Sequence, residues 1–90
     1  MAWSPELETL DQLDGGDLSL HVVRMLFPNV GAFQKGVHGL LKNGDVQLIE
    51  ADGSEVPVWR WRSLFIDGEA LTHLTTLRLR LTESGAKKIG

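Results

Sequence analysis

The chain has 90 residues, of which 42% are hydrophobic and 23% are charged, a balance that indicates one small globular domain over residues 1–90 rather than a disordered segment. Its formal net charge of −3 argues against a surface that attracts phosphate everywhere, but it leaves room for a local basic face. The absence of cysteine excludes disulfides and cysteine-ligated metals and favours a reducing, cytoplasmic location.

Two helices are predicted at the N-terminal end. The first begins with Ser4, a residue type that caps helix starts, and the double glycine at residues 15–16 ends it. The second begins after one of two candidate caps, Asp17 or Ser19, and a proline ends it. Residues 18–20 could also pair briefly as a strand before this helix, and the sequence leaves that alternative open.

A third helix is predicted from about residue 31 to residue 42, and Asn43-Gly44 is a typical pair for its C-terminal end. Gly36 and Gly39 interrupt it: each weakens the helix by roughly 1 kcal/mol relative to alanine, or permits a close approach to the second helix. One face of this helix is apolar and should pack in the core, through Phe33, Val37, Leu40 and Leu41. The other positions carry Gln34, Lys35, His38 and Lys42.

The next segment changes to a β pattern and predicts a hairpin. Residues 45–50 form its first strand, Asp52-Gly53 is a strong turn signal, and residues 56–62 return as the partner strand. Pro57 has no N–H to donate to the ladder, so we expect it at the start of that strand or at an open edge. Residues 63–76 fit a loop or a short helical turn.

The C-terminal segment carries the clearest pattern in the chain. Leucine and arginine alternate from Leu77 to Leu81, which is the period of a half-buried strand, and we expect this strand over about residues 75–81. The leucines should be buried against the helices, and the intervening arginines should lie in solvent. Thr82 is suited to cap a final short helix over residues 83–89.

The order of these elements resembles the winged helix-turn-helix family of bacterial regulators. The segment Leu40-Leu41-Lys42-Asn43-Gly44-Asp45-Val46 looks like the boundary between the recognition helix and the first wing strand, and residues 79–85 are similar to the Leu-Thr-Glu-x-Gly segment at the wing exit. The resemblance covers about residues 18–89. It implies a winged-helix-like α+β domain, with three N-terminal helices followed by a small antiparallel sheet and a short C-terminal helix. Two features depart from it: the turn at residues 50–55 is acidic where a DNA-binding wing usually carries lysine or arginine, and residues 63–76 are extra.

A DNA-reading surface on the third helix is the first candidate site. The resemblance implies that this helix enters the major groove, where Gln34, Lys35, His38 and Lys42 would reach bases or phosphates. The alternative is that these side chains are simply the solvated side of an amphipathic helix. We favour this alternative, because two lysines are few and the acidic turn would repel phosphate.

Four arginines form the second candidate site. If the second and third strands pair, alternation places Arg60, Arg62, Arg78 and Arg80 on one face of the sheet, where they could bind phosphates or a carboxylate-rich partner. The alternative, which we favour, is that surface ion pairs worth about 0–1 kcal/mol each neutralise them. The acidic residues available for this are Glu50, Glu55, Asp67 and Glu69.

The tryptophans are expected to be structural. Trp59 and Trp61 should share the sheet face of the leucines and fill the core of so small a domain, although tryptophans interleaved with arginines can also stack on single-stranded bases. Trp3 lies outside the predicted core, where it packs on the first helix or, if it is exposed, forms a contact site.

No catalytic or metal-binding constellation is predicted. His21, His38 and His73 are far apart and lack the spacing of a metal site, and no glycine-rich loop has phosphate-binding spacing. We therefore expect no cofactor, and we expect no membrane partner because no apolar run approaches the roughly 20 residues that span a bilayer.

The expected function is a non-enzymatic nucleic-acid-binding or regulator-like module. The alternative is a protein-interaction domain that keeps the fold and has lost DNA binding.

Overall fold

Three helices form the N-terminal half of the protein in the computed structural model, which describes residues 4–89. They are α1 (Pro5–Leu13), α2 (Leu20–Met25) and α3 (Val30–Lys42). The predicted cap of α1 is confirmed, since Ser4 Oγ accepts a hydrogen bond from the Leu7 N–H at 3.2 Å. Of the two candidate caps for α2, Ser19 rather than Asp17 is the cap: its Oγ accepts a hydrogen bond from the Val22 N–H at 3.4 Å. The expectations for Trp3 fall outside the described residues.

A three-stranded antiparallel sheet packs against these helices. Its strands are β1 (Leu18–Ser19), β2 (Val46–Ile49) and β3 (Arg78–Leu81), in the spatial order β1-β3-β2. The central strand β3 aligns Leu79 with Leu18 on one side and with Leu48 on the other. The predicted alternation is confirmed, since Leu77 and Leu79 are buried whereas Arg78 and Arg80 are exposed.

The predicted second strand of the hairpin is wrong. Glu55 makes a single bridge to Ile49, and the chain then forms a 3₁₀ helix (Val58–Arg60), helix α4 (Trp61–Phe65) and a second 3₁₀ helix (Glu69–Thr72). Pro57 stops the ladder because it has no N–H to donate. Beyond it the apolar side chains recur at helical spacing, and Leu64 and Phe65 turn into the core with 1% and 2% of their surface exposed.

Helix α5 (Glu83–Ile89) begins at the predicted cap and closes the domain. Thr82 Oγ1 accepts a hydrogen bond from the Gly85 N–H at 3.1 Å and donates one to the Gly44 carbonyl at 2.6 Å. The Thr82 N–H donates to the Asp45 carbonyl at 3.1 Å. These bonds tie the start of α5 to the connection between α3 and β2.

The core lies between the helices and one face of the sheet. Phe33 of α3 is fully buried and meets Phe27 and Phe65 edge-on, with 6.1 Å between ring centres in both pairs. Because Phe65 belongs to α4, the segment inserted between β2 and β3 is part of this core. Within residues 4–89, each helix lacks the length and apolar character that crossing a bilayer requires.

Gly36 and Gly39, the interior glycines of α3, have different environments. A Cβ on Gly36 would collide with the ring of Phe27, whereas a Cβ on Gly39 would have no neighbour within 4 Å. The close approach to the end of α2 is therefore confirmed at Gly36. Phe27 cannot move aside freely, because it is buried against Phe33.

Alanine substitutions at these two glycines should have opposite effects on stability. We expect Gly36→Ala to lower the free energy of unfolding by about 1–2 kcal/mol, because overpacking exceeds the gain in helix propensity. We expect Gly39→Ala, its matched control, to raise it by about 1 kcal/mol. Urea unfolding of both variants measures the difference. Two changes of the same sign and size would contradict the packing of Phe27 on α3.

Candidate binding surfaces

The four side chains predicted on the third helix share one surface. Gln34, Lys35, His38 and Lys42 fall within about 100° of the helix circumference at 3.6 residues per turn, and we call them the α3 outer surface. Lys35 and Lys42 are exposed, whereas Gln34 and His38 are half-buried. Neither lysine forms an ion pair with another residue of the described chain. The arrangement can therefore present two free ammonium groups to a ligand.

Carboxylates lie beside the α3 outer surface. A Cβ on Gly68 would lie 3.4 Å from Nε2 of Gln34, so the connection after α4 borders this surface directly. Gly68 is flanked by Asp67 and Glu69, and both are exposed. A polyanion that approached α3 from this side would meet negative charge.

The turn after β2 is also acidic. Asp52 accepts hydrogen bonds from the Ser54 hydroxyl at 2.6 Å and from the Ser54 N–H at 2.9 Å, and these bonds lower the pKa of the Asp52 carboxyl. The carboxyl is therefore ionised at neutral pH. The turn therefore carries negative charge directly after β2.

The predicted stripe of four arginines does not form. Arg60 and Arg62 lie on helical turns instead of a strand, because the hairpin partner is absent. Arg60 binds Glu50 at 3.1 Å, as expected for a surface ion pair, and Arg80 binds Asp17 at 3.1 Å. Of these four arginines, only Arg62 and Arg78 are exposed without an ion pair in the part of the chain that the structure describes, and they lie on different elements.

A second surface lies on the exposed side of α4 and of the 3₁₀ helix before it. Trp59 has 78% of its surface exposed, Val58 has 68% and Ile66 has 55%. Arg62 is exposed as well and lies one helical turn from both Trp59 and Ile66. We call Val58, Trp59, Arg62 and Ile66 the α4 outer surface.

The core position predicted for Trp59 is wrong, whereas Trp61 is half-buried and packs against the core. A strand would have placed both tryptophans on one face, but in a helix two residues that are two positions apart point to different sides. A helical signal was present in the sequence, since Trp61, Leu64 and Phe65 recur at spacings of three and four.

A cleft of about 230 Å³ lies between α1, α3 and α5. Asp45 lines it with a side chain that is 2% exposed, and its Oδ2 binds Lys88 Nζ at 2.7 Å. The other carboxylate oxygen, Oδ1, is buried and has no hydrogen-bond partner among the described residues. We interpret this ion pair as an anchor for α5. Within residues 4–89, no three His, Cys, Asp or Glu side chains are grouped to hold a metal ion.

Comparison with known proteins assigns the chain to no family. No protein-family model, no curated protein and no solved structure matches it.

Proposed function

We propose that the chain is a non-enzymatic, winged-helix-like module that binds another protein. The helices α1 to α3, the antiparallel strands β2 and β3 and the Thr82-capped closing helix occur in the order that the sequence resemblance implies. The same proposal places the module in the cytoplasm, since its sequence relies on no disulfide.

The exposure of Trp59 carries the protein-binding proposal. Large apolar side chains seldom group on a free surface, and tryptophan is among the residues most enriched where proteins meet. Trp59 is adjacent to Val58 in the chain, and Ile66, about two helical turns further on, lies in the segment that the winged-helix resemblance leaves unexplained. A protein partner would remove this apolar area from water.

The charges support a protein rather than DNA. Non-specific DNA binding depends on the number of phosphates that lysine and arginine neutralise. The α3 outer surface offers only Lys35 and Lys42, beside exposed carboxylates at Asp67 and Glu69. Arg60 and Arg80 are already paired within the domain.

DNA binding through α3 is the second candidate. One observation favours it: the four predicted residues lie on one side of the helix, and neither of its lysines is paired within the described chain. Such a surface could contact phosphates at low salt.

A titration with random-sequence duplex DNA across a salt series separates the two functions. We expect no binding by the wild-type protein at micromolar concentration and low salt. Binding that Lys35→Glu combined with Lys42→Glu abolishes would contradict the proposal and establish DNA as the ligand. Arg78→Glu serves as the control, because Arg78 is an exposed cation on the sheet rather than on α3 and has no ion pair among residues 4–89.

A further inference from the structure

The α4 outer surface has the composition of an interface centre, and α4 itself is packed against the core. Tryptophan and arginine supply much of the binding energy in protein interfaces, and here Arg62 lies between Trp59 and Ile66. The opposite side of α4 is anchored by Phe65, whose ring meets Phe33 of α3 at 6.1 Å. The helix is therefore held in place before any partner arrives, which reduces the entropy cost of binding.

The ion pairs beside this surface leave one cation free. Arg60 is fixed by Glu50 at 3.1 Å. Arg62 has no ion pair among residues 4–89 and is exposed. A guanidinium within an apolar surface selects a partner that supplies a carboxylate, because charge-assisted pairs of this kind are strong and directional.

From these contacts we infer that the α4 outer surface binds a segment of another protein that supplies apolar side chains and one carboxylate, with the carboxylate opposite Arg62. The inference rests on the proposed protein-binding function and names its surface and its partner's chemistry. Trp59 and Ile66 pack against the apolar side chains of that segment, and Arg62 fixes the orientation.

The neighbouring charges argue against a nucleic acid or an anionic membrane at this surface. Glu55 and Asp67 are exposed and lie at its two ends in the sequence. Their negative charge repels a polyphosphate chain or an anionic lipid surface, whereas a protein partner needs to place only one carboxylate at Arg62. Val58 and Ile66 also add aliphatic surface, which offers no ring for bases to stack on.

Selection from a phage-displayed library of random peptides tests the inference. We expect the wild-type chain to enrich peptides that combine aromatic or aliphatic residues with aspartate or glutamate. Trp59→Ser and Arg62→Ala should each weaken binding of the enriched peptides by about tenfold or more. Met25→Ser is the matched control, since Met25 is an exposed apolar residue, 72% accessible, on α2. It should leave the affinity unchanged, and circular dichroism checks that every variant is folded.

The outcomes separate this inference from the proposed function. Enriched peptides that bind equally well to Trp59→Ser, or a library that yields no peptide dependent on Trp59, would overturn the inference. Peptides that bind at another surface would still leave protein binding in place. Binding of oligothymidine or anionic vesicles that is lost in Trp59→Ser would overturn the inference, whereas duplex binding through Lys35 and Lys42 would overturn the proposed function.

Discussion

Replacing Gly85 with alanine is expected to undock α5 and to lower the free energy of unfolding by about 3 kcal/mol. Gly85 is buried, and a Cβ at this position would overlap the carbonyl oxygen of Asp45. That oxygen belongs to the backbone and accepts a hydrogen bond from Thr82 at 3.1 Å, so it cannot rotate away as a side chain would. The better helix propensity of alanine offsets only about 1 kcal/mol of this cost.

Hydrogen exchange and urea unfolding together measure the Gly85→Ala effect. Exchange should show that the amides of α5 lose protection, and unfolding should give the change in free energy. Ser84→Ala is the control in the same helix: Ser84 is exposed, so we expect a change within about 0.5 kcal/mol. An α5 that stays protected in Gly85→Ala would show that this helix does not pack on the α3–β2 connection.

Local signals in the sequence predicted most of the helix starts and the last strand. Ser4, Ser19 and Thr82 cap helices through bonds to N–H groups three residues away, so the neighbouring sequence contains the whole interaction. The alternation in β3 was equally informative, because burial of Leu79 on one face forces Arg78 and Arg80 to the other. These elements need no knowledge of distant partners.

The prediction of a strand after Pro57 was wrong because the segment carries two competing periods. Trp59 and Trp61 alternate with arginines as in a strand, whereas Trp61, Leu64 and Phe65 repeat as in a helix. The contact between Phe65 and Phe33 joins residues that are far apart in the chain, and it makes the helical arrangement part of the core. No local pattern reveals that contact.

The two candidate sites differed in how far they depended on tertiary structure. The α3 outer surface followed from helical spacing alone, and its residues do share one side of the helix. The arginine stripe required a strand pairing that does not form. The bond between Arg80 and Asp17 joins β3 to the residue before β1, because β1 and β3 are paired, and no sequence pattern indicated it.

The Asp45–Lys88 pair should be a second determinant of α5 docking, and its loss should be partly reversible by a second substitution. Lys88→Met is expected to cost about 2–3 kcal/mol, because it leaves a carboxylate that is 2% exposed without a counter-charge, in the place where Oδ1 already lacks a partner. Lys88 is itself half-exposed, which places the cost below that of a fully buried pair. Adding Asp45→Asn removes the unpaired charge, so the double variant should be more stable than Lys88→Met alone.

The control is Lys87→Met. Lys87 is an exposed neighbour of Lys88, so this substitution should change the free energy of unfolding by less than about 0.5 kcal/mol. Urea unfolding of the wild-type protein and the three variants measures these differences in stability, and a Lys88→Met variant as stable as Lys87→Met would show that the pair does not hold α5.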